Sequence, residues 1–174
     1  MKNALLLLTS VLLTSQLYGQ SLAGVESVEY DPINNRYLAS SDNSSIVAIA
    51  PNGGLSYFGS GTSADYGMEV VGNTLFAIVG STVRGYDLTT EMQVMNVSVS
   101  GAVFLNGMAS NGSDKLWVTD FNARKIHEID ITNLSSPTVT QVATTGSVTP
   151  NGIVYDASNN RCLFVTWGTE PSER

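Results

Sequence analysis

Beyond residue 20 the chain alternates short apolar runs with clusters of Asn, Gly, Ser and Pro, and no stretch keeps a helical period. The pattern repeats. Glu26-Ser27-Val28-Glu29-Tyr30-Asp31, Tyr66-Gly67-Met68-Glu69-Val70-Val71, Asn106-Gly107-Met108-Ala109-Ser110-Asn111 and Asn151-Gly152-Ile153-Val154-Tyr155-Asp156 start 40, 40 and 45 residues apart. Each is followed by a turn and a second apolar run, at 36–42, 75–80, 115–120 and 162–167. Third runs at 46–50, 83–88 and 125–131 and fourth runs at 55–58, 93–99 and 138–143 complete the first three units. In the third of these, Ile126, Glu128 and Asp130 alternate with His127, Ile129 and Ile131, the period of a strand. Asn34-Asn35, Gly72-Asn73, Asn111-Gly112 and Asn159-Asn160 fall between runs, where a turn asks for residues that tolerate positive φ.

Four antiparallel strands per unit of about 40 residues is the arithmetic of a β-propeller blade. A β-sandwich would also supply the strands, but it gives no reason for the constant phase. The expected fold is therefore all-β: a propeller of four-stranded antiparallel blades with about three and a half blades present over 21–168, an incomplete six-bladed ring. The best internal match sets Lys115-Leu116-Trp117-Val118-Thr119-Asp120 against Cys162-Leu163-Phe164-Val165-Thr166-Trp167, and Asp42 and Asp120 fall at one phase. The polar stretch 169–174 does not continue the blade pattern and is expected to be an unstructured tail. A fragment or a truncated gene product is the expectation, with self-association through the uncovered edge of 162–167.

The first twenty residues read differently. Lys2, an apolar stretch from Ala4 to Leu13 and a polar, partly small region through Ser15, Tyr18 and Gly19 have the layout of a secretory signal peptide. The apolar stretch is too short for a membrane span; a buried N-terminal helix is the other reading. The expectation is export, to the periplasm or outside the cell, without a membrane span.

Composition narrows the chemistry. Only 13% of residues are charged and the net charge is −7, so a nucleic-acid partner, which needs a basic footprint, is not expected. A single cysteine, Cys162, excludes an internal disulfide framework, and a single histidine, His127, excludes a multi-histidine metal centre. His127 is expected at a surface or between blades, Trp117 and Trp167 in blade packing, and Cys162 as a small buried hydrophobe.

Pro150-Asn151-Gly152-Ile153-Val154-Tyr155-Asp156, followed by Arg161-Cys162-Leu163-Phe164-Val165-Thr166, resembles the signature of the senescence marker protein and gluconolactonase family of six-bladed propellers. NHL-repeat and strictosidine-synthase-like propellers share much of this pattern. The resemblance implies a divalent cation in the central channel, with Glu26 matching the family's first-blade Glu, Asn106 its middle Asn and Asn151 its Pro-Asn-Gly Asn. The family's Asp would fall beyond Arg174, and Ser27-Val28 stands where Gly-Pro is usual. Strand starts at one repeat phase converge on one mouth of a channel. A carboxylate with two carboxamides is an oxygen-only set suited to Ca²⁺, Mg²⁺ or Mn²⁺. Tyr66 shares the phase and would line the channel. Asn-Gly at 106–107 and 151–152 also reads simply as turns entering strands. Two functions follow: a metal-dependent hydrolase of lactones or esters acting on a sugar-like small molecule, or a non-catalytic secreted propeller that binds a ligand or a protein partner.

Overall fold

The structure, a computed structural model, describes residues 22–41 and 44–168. The signal-like segment 1–20, Asp42 and the tail 169–174 lie outside the described residues. Among the described residues fourteen strands form three four-stranded antiparallel sheets and one two-stranded sheet. Blade one is β1 (Val28–Asp31), β2 (Arg36–Ser40), β3 (Ile46–Ile49) and β4 (Leu55–Tyr57). Blade two is β5 (Met68–Val71), β6 (Thr74–Val79), β7 (Thr82–Asp87) and β8 (Gln93–Ser98). Blade three is β9 (Leu105–Ser110), β10 (Lys115–Asp120), β11 (Lys125–Asp130) and β12 (Thr138–Thr144). The last sheet is β13 (Thr149–Asp156) paired with β14 (Arg161–Trp167). In every sheet each strand pairs with the next in sequence, the meander of a propeller blade. A single 3₁₀ turn, Ala157–Asn159, is the one helical element among the described residues. The first strands of successive sheets, β1, β5, β9 and β13, lie against one another in that order, so the sheets fan out from a shared inner line.

Alternation along each strand sends one set of side chains to the preceding blade and the other to the following one. Leu38, Ile46 and Phe58 of blade one meet Met68, Leu75 and Tyr86 of blade two. Phe76, Ile78 and Val83 on the other face of blade two meet Met108, Leu116 and Ile129 of blade three. Ala109, Ile126 and Trp117 of blade three meet Ile153, Tyr155 and Phe164 of blade four. The core is thus three flat layers between blades. The middle strands of blade two are buried through Thr74–Ile78 because neighbours cover both faces.

The register corrects one internal match. Met108 pairs with Val118 and Ile153 with Phe164, so Phe164 occupies the place of Val118 and not that of Trp117. Leu163, not Phe164, stands where Trp117 stands, and Asp120 corresponds to Thr166. Trp167 does not pack as expected; it is exposed at the end of β14. Cys162 is half-buried, and desolvation pushes its thiol up to about 11.

Candidate channel-mouth site

The lead-ins to the four innermost strands are held at one register, by the residue that ends or nearly ends a second strand. The Ser40 hydroxyl at the end of β2 accepts the backbone N–H groups of Glu26 (3.1 Å) and Ser27 (3.0 Å). At the same register in blade three, the Thr119 hydroxyl accepts the Gly107 N–H (2.8 Å) and donates to the Asn151 carbonyl of blade four (2.7 Å). Blade two closes its own start through Ile78 N–H to the Gly67 carbonyl, 3.0 Å. Gly67 N–H in turn donates to the Asn106 carbonyl of blade three at 2.8 Å. Glu26, Tyr66, Asn106 and Asn151 therefore do occupy equivalent places at one end of the fan.

The glycines that follow Tyr66 and Asn106 are required by packing. A Cβ on Gly67 would lie 2.8 Å from the Asn106 carbonyl oxygen, and one on Gly107 would lie 2.4 Å from that of Asn151. Tyr66-Gly67 and Asn106-Gly107 thus mark places where neighbouring strands touch backbone to backbone. The two asparagines serve these junctions with their main-chain carbonyls. Among the described residues their carboxamides take part in no hydrogen bond. Glu26 is exposed and contributes its carboxylate to the mouth.

Glu26, Asp65 and Tyr66 line a polar recess of about 410 Å³ together with Gly24, Ser41 and Ser44. Asp65 is held in place by the Gly80 N–H, 2.7 Å from Oδ2. Tyr66 packs edge-on against Phe104 (4.8 Å between centroids), which packs edge-on against Phe121 (5.7 Å). The recess thus has two carboxylates, two serines and one buttressed aromatic ring.

Further along the same strands lies a second row that the residue patterns did not single out. Glu29 and Glu69, 40 residues apart, occupy the same register in β1 and β5. Glu29 faces blade two and takes a hydrogen bond from the Val70 backbone. Glu69 accepts the Ser110 hydroxyl of blade three at 3.0 Å. Burial raises both carboxyls to about 7, and the charge of Glu29 adds to the rise at Glu69. Their signal was present in the repeat itself, as a Glu three positions after the start of the repeated segment in two successive units. Between blades two and three His127 is buried, with Nε2 3.8 Å from Asp120 Oδ2, and desolvation lowers its pKa. Asp120 is committed to structure: its carboxylate accepts the N–H groups of Val103, Phe104 and Ala123.

The fold and its radial blades define a β-propeller. No family model matches the chain, and no curated protein matches it. Among solved structures it is similar to the β-propeller domain of Cps50 (Swd1) from Myceliophteria thermophila, with a TM-score of 0.66 and 17% identity over 84% of this chain and 49% of that one. The C-terminal WD40 domain of Sif2 gives a TM-score of 0.60 at 17% identity, over 83% and 43%. A chain of a nidogen/laminin complex gives 0.63 at 15% identity, over 82% and 56%. The chain spans about half the length of these solved structures, and at such identities the likeness is one of fold.

Proposed function

We propose that the chain is a binding module, a propeller that receives part of a protein partner at the mouth of its channel. The observation that carries this reading is the open recess lined by Glu26, Asp65 and Tyr66. Two carboxylates beside an aromatic face suit a basic side chain, through ion pairing and a cation–π contact. The net charge of −7 acts in the same direction by steering a cationic partner. One of the similar folds comes from a complex of two proteins, nidogen and laminin. The test is calorimetric titration with a peptide bearing one central Arg and with its Glu counterpart. Binding of the Arg peptide alone, weakened at least about tenfold by Glu26→Ala with Asp65→Asn and by high salt, supports the reading. Equal binding of both peptides, or none, refutes it.

A second reading, a metal-dependent lactone or ester hydrolase, is favoured by the shared register of Glu26, Asn106 and Asn151. The carboxylate of Glu26 and the uncommitted carboxamides of Asn106 and Asn151 would hold Ca²⁺, Mg²⁺ or Mn²⁺, which supplies Lewis acidity toward a carbonyl. Lactone turnover lost on chelation and in Glu26→Gln would establish this reading over the first. Either function fits export, for which the mature N-terminus near Gln20 or Ser21 is the check.

A further inference from the structure

The segment that follows β4 and the turn that joins β7 to β8 enclose a recess of about 500 Å³ between blades one and two. It shares no residue with the mouth recess of Glu26, Asp65 and Tyr66. Its rim is fixed from both sides. Glu91 stands at φ 58°, a conformation that few side chains adopt. Both of its carboxylate oxygens are engaged: Oε1 accepts Arg36 Nη2 at 2.7 Å, and Oε2 accepts the Gly59 N–H at 2.7 Å. Gly59, at φ 62°, has no room for a side chain, since a Cβ would lie 2.8 Å from the Glu91 carbonyl oxygen. Tyr86, also in the lining, is buried, and its hydroxyl is taken up by the N–H and the carbonyl of Ser63, both at 3.1 Å. The recess is thus built before a ligand arrives, which lowers the ordering cost of binding.

What the recess leaves unused is neutral. Tyr57, Ser60 and Gln93 line it, and among the described residues their side chains take part in no hydrogen bond. Two hydroxyls and a carboxamide can each both donate and accept. Apolar surface stands beside them, in the exposed ring of Tyr57 and the exposed side chain of Met92. Among the described residues the one charged group in the lining is Glu91, and Arg36 neutralises it. A cation therefore finds no uncommitted carboxylate here. An anion meets no uncommitted cationic group and a net charge of −7. A wholly apolar ligand would bury the hydroxyls and the carboxamide unpaired. The ligand that satisfies all of these is small, neutral and rich in hydroxyls, with one apolar face. A pyranose sugar has that form: its C–H face covers an aromatic ring while its hydroxyls donate and accept at the edge. The volume lies within the range of about 300–1,000 Å³ usual for small-molecule sites.

We propose that the recess between blades one and two is a binding site for a neutral pyranose sugar. The sugar lies with its C–H face on Tyr57 and Met92, and its hydroxyls exchange hydrogen bonds with the Ser60 hydroxyl and the Gln93 carboxamide. The ring and the methionine supply contact area, and the neutral polar groups supply selection against charged ligands. Both walls belong to complete four-stranded blades. The site is separate from the channel mouth and does not depend on the function proposed there.

The test uses the isotopically labelled 174-residue chain in nuclear magnetic resonance titrations. The probes are methyl β-glucopyranoside, methyl β-galactopyranoside and methyl α-mannopyranoside, with glucuronate as the anionic counterpart. At least one neutral glycoside should bind saturably in the millimolar range and shift the amides of Gly61, Glu91 and Gln93. Glucuronate should bind at least about tenfold more weakly. Tyr57→Ala and Gln93→Ala, both at exposed positions, should each weaken glycoside binding at least about fivefold while the circular dichroism spectrum is kept. Glu26→Ala with Asp65→Asn, which strips the mouth of its carboxylates, should leave glycoside binding unchanged. Absence of saturable binding by all three glycosides at tens of millimolar overturns the proposal. So does binding indifferent to both Tyr57→Ala and Gln93→Ala, glucuronate binding as tight as that of the glycosides, or glycoside binding lost in the mouth variant.

Discussion

Gly107 and Gly152 look alike in sequence, each following an asparagine, yet the structure asks different things of them. A Cβ on Gly107 meets the Asn151 carbonyl at 2.4 Å, whereas one on Gly152 meets only a Val165 methyl at 3.4 Å. Gly107→Ala should therefore cost about 1–3 kcal/mol and Gly152→Ala less than about 0.5 kcal/mol in chemical denaturation. Equal costs would mean that the two strands do not touch as described. Glu29 and Glu69 give a second consequence at this scale. Folded, both carboxyls hold their protons up to about pH 7; unfolded, they release them near 4.5. Between those values the folded state binds more protons, so stability must fall as pH rises through that window. The thermal midpoint should be higher at pH 5 than at pH 8. Glu69→Gln should flatten the profile and gain about 1–2 kcal/mol at pH 8, a figure reduced for the partial exposure of the site. A midpoint that climbs from pH 5 to pH 8 would show these carboxyls to be solvated.

At the scale of the element, one hairpin turn occurs twice. Tyr30-Asp31 with Asn34-Asn35-Arg36 and Tyr155-Asp156 with Asn159-Asn160-Arg161 build the same turn. The tyrosine hydroxyl donates to the second asparagine (2.9 and 2.7 Å), the first asparagine donates to the aspartate (2.9 and 2.8 Å), and Arg Nε donates to the same carboxylate (2.9 and 3.0 Å). Asn35 and Asn160 both adopt φ of 50°. In blade one the turn is also docked: Arg36 reaches Glu91 of blade two at 2.7 Å and lies over the Phe58 ring, and Asp31 is fully buried. Arg36→Ala should then cost about 2–4 kcal/mol, because it strands a buried carboxylate, whereas Arg161→Ala should stay within about 0.5 kcal/mol. Denaturation of the two variants side by side checks this, and similar losses would refute the distinction. These turns, and nearly every strand, were legible in the sequence, because period-two alternation and Asn or Gly turns are local signals. The phase of Glu26, Tyr66, Asn106 and Asn151 was legible for the same reason. The register of β14 against β10 was not: the hairpin between Tyr155 and Cys162 encloses one residue more than that between Ser110 and Leu116, which shifts the match by one, and similarity of residue type conceals it. Nor was the use of Asn106 and Asn151 through their carbonyls, since the partner is the backbone of another blade. Asp65, which completes the mouth recess, sits in a connecting segment outside any repeated phase.

For the molecule as a whole, stability is set by the layers between blades, because each sheet touches only its neighbours in sequence. Blades two and three are covered on both faces. Blade one leaves Val28, Tyr30 and Tyr37 exposed on one face, and the last sheet leaves Val154, Leu163 and Val165 exposed on its own. A chain of nearest-neighbour contacts of this kind opens from its ends, and the opening free energy should rise toward the middle. Amides of β6 and β10, whose central residues Leu75–Ile78 and Val118 are fully shielded, should exchange at least about a hundredfold more slowly than those of β14. Mutations should follow the same order. Phe76→Ala, in the layer between blades two and three, should destabilise by about 3–5 kcal/mol and speed exchange in both, whereas Leu163→Ala, already 47% exposed, should leave β6 and β10 unchanged. Native-state hydrogen exchange read by mass spectrometry resolves these segments. If β14 exchanges as slowly as β6, or if Leu163→Ala loosens blade two, the sheets unfold as one unit and the nearest-neighbour account of this propeller is wrong.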